Sequence, residues 1–303
     1  MDKGDNNAPF ENKRTETDYL PIADPFVMLY NNKYYAYGTG GTVNEGFACF
    51  SSDDLKNWKR ERQALSADDS YGKWGFWAPE VYYIQSKKKF YMFYSVEEHI
   101  CVATSDSPVG PFRQESKQPI WEEKSIDTSL FIDDDGTPYL YFVRFTDGNV
   151  IWVAQMTDDL MKIKKETLSE CIKAEEPWEL LQAKVAEGPS LLKKNGVYYL
   201  IYSANHYENK GYGVGYATSD TPMGPWVKYS KNPLLQGDAA TGLVGTGHGA
   251  PFQCKDGSWK YIFHAHWSAA EIQPRTSYIK DFAISDQGVV TISGTVIKPR
   301  VLK

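Results

Sequence analysis

The chain has 303 residues, a net charge of −6, 42% hydrophobic and 24% charged side chains, an ordinary globular balance with length enough to bury a substantial core. No basic run is long enough to track a phosphate backbone, which argues against a nucleic-acid partner. No apolar run approaches the ~20 residues that span a bilayer.

Aromatic content is high, with 21 tyrosines, 14 phenylalanines and 9 tryptophans. Such rings suit pleated, half-buried surfaces, and flat Tyr and Trp faces also stack on sugars. The four cysteines (Cys49, Cys101, Cys171 and Cys254) are far apart and form no Cys-x-x-Cys pair. They read as small buried thiols, not as a zinc or redox motif.

In chain order, one pattern recurs five times: an apolar strand, a turn, then a Tyr-rich strand. The copies are Leu29–Tyr37, Val81–Tyr94, Leu130–Tyr141, Leu191–Tyr202 and Phe252–Phe263. Turns such as Asn195-Gly196 and Asp256-Gly257 mark hairpins. The calcium-loop lookalike Asp133-Asp134-Asp135-Gly136 falls at the same turn and reads as a surface turn. A third strand ends in Ser52-Asp53, Ser105-Asp106, Thr157-Asp158 and Ser219-Asp220, and a bulky residue (Trp58, Phe112, Met161, Trp226) then opens a fourth.

Units of about 50–60 residues with four strands each are propeller blades. The expected fold is all-β: a five-bladed β-propeller of four-stranded antiparallel blades around a central channel. The last blade ends with Asp281–Ile284 and Val289–Ser293. Residues 1–14 are expected to be a flexible arm and residues 15–303 a single propeller domain, with Thr15–Leu20 helping to close the ring.

The first strand of each blade lines the channel, so its opening residues form a ring at one mouth. That ring contains Asp24, Trp77 with Glu80, Asp127, Glu187 and His248. Asp24, Asp127 and Glu187 are read as matching positions in three blades. Acetal hydrolysis needs a protonated carboxyl for the leaving oxygen and an ionised one to activate water. A third carboxylate raises the pKa of the acid.

Ala23-Asp24-Pro25, Trp77-Ala78-Pro79-Glu80-Val81, Asp127-Thr128-Ser129 and Glu187-Gly188-Pro189-Ser190 together resemble the signatures of glycoside hydrolase family 43. The resemblance implies a five-bladed propeller and inverting hydrolysis, with Asp24 as general base, Glu187 as general acid and Asp127 as modulator of that acid. Inversion implies Asp24 and Glu187 carboxyls about 6.5–9.5 Å apart. The resemblance also implies a water-mediated cation contact for His248 and a sugar contact for Arg275, while Trp74, Phe76 and Trp77 are candidate walls of the first sugar subsite. His264 and His266 share one face of a strand and read as packing or hydrogen-bonding groups.

No cofactor is expected for the chemistry, although a calcium or other cation in the channel is allowed for. The expected partner is an oligosaccharide or polysaccharide carrying terminal α-L-arabinofuranosyl or β-D-xylosyl units. The alternatives are endo action on arabinan or xylan, a retaining enzyme acting on fructans, and a glycan-binding propeller without catalysis. The polar opening Met1–Asn7 carries no signal peptide; a periplasmic or secreted location is expected on function, with a cytoplasmic one as the alternative. Loops 204–212 and 236–247 are expected to set specificity.

Overall fold

The computed structural model describes residues 18–40, 44–237 and 241–302. They form five small sheets in a ring, a five-bladed β-propeller. Blade one is β1 (Ala23–Tyr30), β2 (Lys33–Thr39), β3 (Gly46–Ser52) and β4 (Asn57–Ser66). Blade two is β5 (Trp77–Ile84), β6 (Lys89–Val96) and β7 (His99–Ser105). Blade three is β8 (Ser125–Ile132), β9 (Pro138–Phe145), β10 (Asn149–Gln155) and β11 (Ser169–Ile172). Blade four is β12 (Ala186–Lys194), β13 (Val197–Ala204), β14 (Gly213–Ser219), β15 (Val227–Lys228) and β16 (Leu235–Gln236). Blade five is β17 (Gly247–Gln253), β18 (Trp259–Ala265), β19 (Thr276–Ile284) and β20 (Val290–Ile297). The innermost strands β1, β5, β8, β12 and β17 pack side by side around the axis.

The expectation of four strands per blade needs correction. The outer strand of blade two shrinks to a bridge between Thr104 and Arg113, and that of blade four splits into β15 and β16, both pairing with β14. Prolines interrupt both edges (Pro108, Pro111 and Pro119; Pro225 and Pro233), and proline cannot donate to a ladder. Met161 does not open a strand either: it is partly exposed, and β11 begins later at Ser169.

Ring closure joins the two ends of the chain. A last strand, β21 (Arg300–Val301), pairs in parallel with β4. Leu20 N–H donates to Pro299 O at 3.0 Å, and Val301 N–H to Asp18 O at 2.9 Å. Residues 18–20 therefore take the closing role expected of Thr15–Leu20, whose first three residues lie outside the described ones.

The core is not central. Five apolar clusters fill the five seams between blades. Tyr and Phe from the second strands dominate them, among them Tyr37, Tyr94, Tyr141, Tyr202 and Phe263, each with no exposed surface. Burying such a ring contributes roughly 1.5–3 kcal/mol. Three of the four cysteines are buried and Cys171 is partly so; none forms a disulfide. Asp133 accepts from Tyr198 Oη at 2.5 Å and pairs with Lys193 at 2.6 Å, so the acidic turn pins blade three to blade four. Among the described residues no helix is long and apolar enough to cross a membrane.

Candidate active site

Each innermost strand carries a bulge at the same place. The pairing steps from Ala23↔Thr39 to Phe26↔Tyr37, from Trp77↔Ser95 to Glu80↔Phe93, and from Ile126↔Val143 to Ser129↔Tyr141. It steps likewise from Glu187↔Ser203 to Ser190↔Ile201 and from Gly247↔His264 to Ala250↔Ile262. The first bulged residue is always left-handed: Asp24 (φ 49°), Ala78 (46°), Asp127 (57°), Gly188 (55°) and His248 (42°). That conformation costs a non-glycine residue roughly 1–2 kcal/mol, and such bulges re-aim side chains beside functional sites.

This register corrects the sequence alignment. Asp24, Asp127 and His248 are structural equivalents. Glu187 sits one residue earlier, level with Ala23, Trp77, Ile126 and Gly247, and Glu80 two residues after the bulge position, level with Phe26 and Ser129. Blade four has glycine at the bulge because a Cβ on Gly188 would meet His248 Cδ2 at 2.9 Å. The one-residue offset of Glu187 keeps a carboxylate in the ring while leaving room for the imidazole.

Asp24 is buried among cationic and donor groups. Its Oδ1 accepts from Arg275 Nη1 at 3.0 Å and lies 3.4 Å from His248 Nδ1, and its Oδ2 accepts from Thr39 Oγ1 at 2.6 Å. Burial alone would raise its pKa. The Arg275 guanidinium and His248 outweigh that and hold the carboxyl well below the usual range. Its amide donates to His264 Nδ1 at 3.1 Å. Burial, then Arg275, pushes His264 down to about 3, so its neutral ring keeps a lone pair for that amide. The ring also stacks on Tyr212, with centroids 5.7 Å apart.

Asp127 behaves oppositely. Burial, opposed by His248 and reinforced by the charges of Glu187 and Asp24, lifts it to about 7. Its Oδ2 receives the Gly188 amide at 3.4 Å and lies 3.8 Å from His248 Nδ1. Glu187 Oε1 accepts from Tyr212 Oη at 2.8 Å, and its Oε2 from Asn149 Nδ2 at 2.9 Å. Asn149 opens β10 and reaches blade four through its amide, which donates to Lys184 O at 3.0 Å. Burial works against a charged His248, but Asp127, Asp24 and Glu187 together raise its pKa, favouring the charged imidazole among three carboxyls. Glu80, hydrogen-bonded by Tyr82 Oη, is pushed up to about 8 by burial.

Asp127, Glu187 and His248 each bring a ligating atom within 4.8 Å of the others. Direct calcium binding needs six to eight oxygen ligands. Two carboxylates and an imidazole, with both Glu187 oxygens already accepting protein donors, do not supply such a shell.

The remaining predicted residues separate by exposure. Trp77 is partly exposed and Trp74 is 48% exposed; their rings meet edge to face at 6.3 Å. Phe76 is 0% exposed, packed in the seam between blades one and two against Phe47 and Tyr94. Its proposed place in a sugar wall is therefore corrected: the ring faces the core. Arg275 is not a surface arginine, since its guanidinium lies on Asp24 and over the Tyr207 ring at 4.5 Å. His266 hydrogen-bonds Tyr207 O at 2.8 Å.

Sequence reasoning missed Thr39, Asn149 and Tyr212 as partners of the carboxylates, whereas His264 is the packing and hydrogen-bonding group expected, here against Asp24. Thr39 had a signal: it closes a Tyr/Phe-rich second strand, as Ser95, Ser203 and His264 do. Asn149 and Tyr212 follow turns of differing length and have none.

Residues 20–290 match the family profile described as glycosyl hydrolases family 43. The chain is 91% identical, with a TM-score of 0.94, to a crystal structure described as an endo-1,4-beta-xylanase from Bacteroides thetaiotaomicron VPI-5482, covering 95% of this chain and 99% of that one. It is 27% identical over 268 residues to a beta-D-galactofuranosidase from Aspergillus niger, which covers 81% of this chain and 74% of that protein. It is 28% identical over 304 residues to a xylosidase/arabinosidase from Bacteroides ovatus, covering 83% of this chain and 89% of the relative. A family match along nearly the whole propeller, ending in a mouth that gathers buried carboxyls, makes this chain a glycoside hydrolase that belongs to family 43.

Proposed function

We propose that the enzyme is an inverting exo-glycosidase that releases terminal α-L-arabinofuranosyl or β-D-xylosyl units from plant cell-wall polysaccharides or their fragments. Asp24 is the general base, Glu187 the general acid and Asp127 the modulator of Glu187. The observation that carries this reading is the opposite electrostatics on the two sides of His248. Arg275 and His248 keep Asp24 ionised, ready to take a proton from water. On the other side, burial and the neighbouring Glu187 and Asp24 charges lift Asp127 to about 7, so the two carboxyls beside His248 differ in the way an acid–base pair requires. Tyr212 and Asn149 hold both Glu187 oxygens and fix the direction of that transfer. Trp77 and Trp74 line the mouth as stacking faces for the sugar, and Arg275 contacts the sugar bound against Asp24.

A second reading, endo cleavage of the xylan backbone, is favoured by the name given to the 91% identical structure. Product analysis on arabinoxylan, arabinan and xylo-oligosaccharides separates the two. Monosaccharide alone supports the exo reading, and a ladder of oligomers supports the endo one. Proton NMR of the first-formed product reads inversion directly. Glu187→Gln is expected to lower turnover of natural linkages about 10²–10⁴-fold with sugar binding retained; unchanged turnover would remove Glu187 from the acid role.

A further inference from the structure

The five bulges share a second regularity. The amide of each left-handed residue points to the preceding blade, and in four of the five it finds a side-chain acceptor on that blade's second strand. Ala78 N–H donates to Thr39 Oγ1 at 2.9 Å, Asp127 N–H to Ser95 Oγ at 2.9 Å, His248 N–H to Ser203 Oγ at 2.7 Å and Asp24 N–H to His264 Nδ1 at 3.1 Å. The four acceptors are equivalent in register: each lies on the second strand of its blade, opposite the residue that precedes the bulge (Ala23, Trp77, Glu187 and Gly247). A buried N–H needs a partner, and this ring supplies one at each of these steps.

The fifth step is different. The equivalent position in blade three, opposite Ile126, is Val143, which is fully buried and has no acceptor to offer. The amide that would use it belongs to Gly188, and that amide donates instead to Asp127 Oδ2 at 3.4 Å. The break falls between the blades that carry Asp127 and Glu187.

We propose that Val143 is a positioning residue: by withholding the acceptor that the other four blades provide, it reserves the Gly188 amide for the Asp127 carboxyl and so holds that carboxyl beside Glu187. The consequence for hydrolysis rests on the roles given to Asp127 and Glu187 above. The hydrogen-bond assignment does not.

Val143→Thr is the direct test, being nearly isosteric and presenting the hydroxyl that Thr39 uses in blade one. Val143→Ser carries the same hydroxyl with less bulk, and Val143→Ala adds no acceptor. In the unmodified protein the Gly188 amide resonance is expected to titrate with the Asp127 carboxyl, near pH 7. With Val143→Thr or Val143→Ser, that inflection disappears from the Gly188 amide. The Asp127 carboxyl then titrates about half a unit to one unit higher, having lost a donor that favours its charged form, and the pH–rate profile moves by the same amount. Val143→Ala keeps the original titration. A Gly188 amide that does not titrate in the unmodified protein overturns the proposal without any variant. So does a folded hydroxyl variant whose Gly188 and Asp127 titrations are unchanged, or an alanine variant that shifts both as threonine does. Because the NMR readout needs no substrate, inactivity on every glycan would sink the functional reading and leave this assignment standing.

Discussion

Glu80 is the carboxyl whose removal should stabilise the protein. It stands on the inner wall, takes a hydrogen bond from Tyr82 and has its pKa raised by burial from 4.5 to about 8. The folded state therefore binds a proton that the unfolded chain releases between these two values. Below pH 4.5 the residue is neutral in both states and costs nothing. As pH rises through the window stability is lost, and above pH 8 the full cost of ionising a buried carboxyl is present. A shift of about 3.5 units at 1.36 kcal/mol each sets a ceiling of about 5 kcal/mol. Glu80 retains some accessible surface, and water relaxation there leaves roughly 2 kcal/mol. Glu80→Gln keeps the shape and an acceptor for Tyr82 but has no proton to lose. Urea titrations followed by Trp fluorescence are expected to show no difference between variant and parent near pH 4.5. The advantage of the variant then grows to about 2 kcal/mol at pH 8.5, with a melting temperature higher by about 3 °C. Asp127 titrates in the same window but in both proteins, so it largely cancels. A stability difference that is flat across pH 4.5–8.5, or that shrinks as pH rises, would refute the reasoning.

Arg275→Gln removes the cation lying 3.0 Å from Asp24 while burial, which pushes the other way, remains. The Asp24 pKa then rises, and the acidic limb of kcat/KM is expected to move to higher pH by about 1–2 units; an unmoved limb would mean that Asp24 is not the group that must be ionised. Gly188→Ala places a methyl 2.9 Å from the His248 ring on a backbone at φ +55°. Chemical denaturation should show a loss of about 1–3 kcal/mol, together with reduced turnover, and a neutral result would mean the imidazole is free to move away.

The fold was largely legible because a propeller writes its period into the chain. The Tyr-rich second strands and Asn-Gly or Asp-Gly turns recur on local rules, so blade number and hairpins follow from pattern alone. The acidic stretch at Asp133 forms the turn between β8 and β9 that its position in the repeat implied. Edge strands were less legible. Their pairing depends on where proline removes a donor, and blades two and four lose or split their outer strand there. Phe76 illustrates a further boundary, since one residue decides whether an aromatic beside Trp77 faces the mouth or the seam.

At the site, the residue types were readable and the register was not. Asp24, Asp127, Glu187, His248 and Arg275 are brought together as their motifs implied. Two carboxylates that look equivalent in the chain, Asp127 and Glu187, are offset by one residue because a left-handed bulge displaces the backbone and only glycine at 188 clears His248. The amino-acid sequence by itself determined the blades and the chemical groups offered to the channel. Only the tertiary structure decided which carboxyl is ionised, because that depends on cations, amides and burial contributed by other blades: Arg275 and His264 reach Asp24 across about 240–250 residues of chain, and a pKa is set by distance in space, not by separation along the sequence.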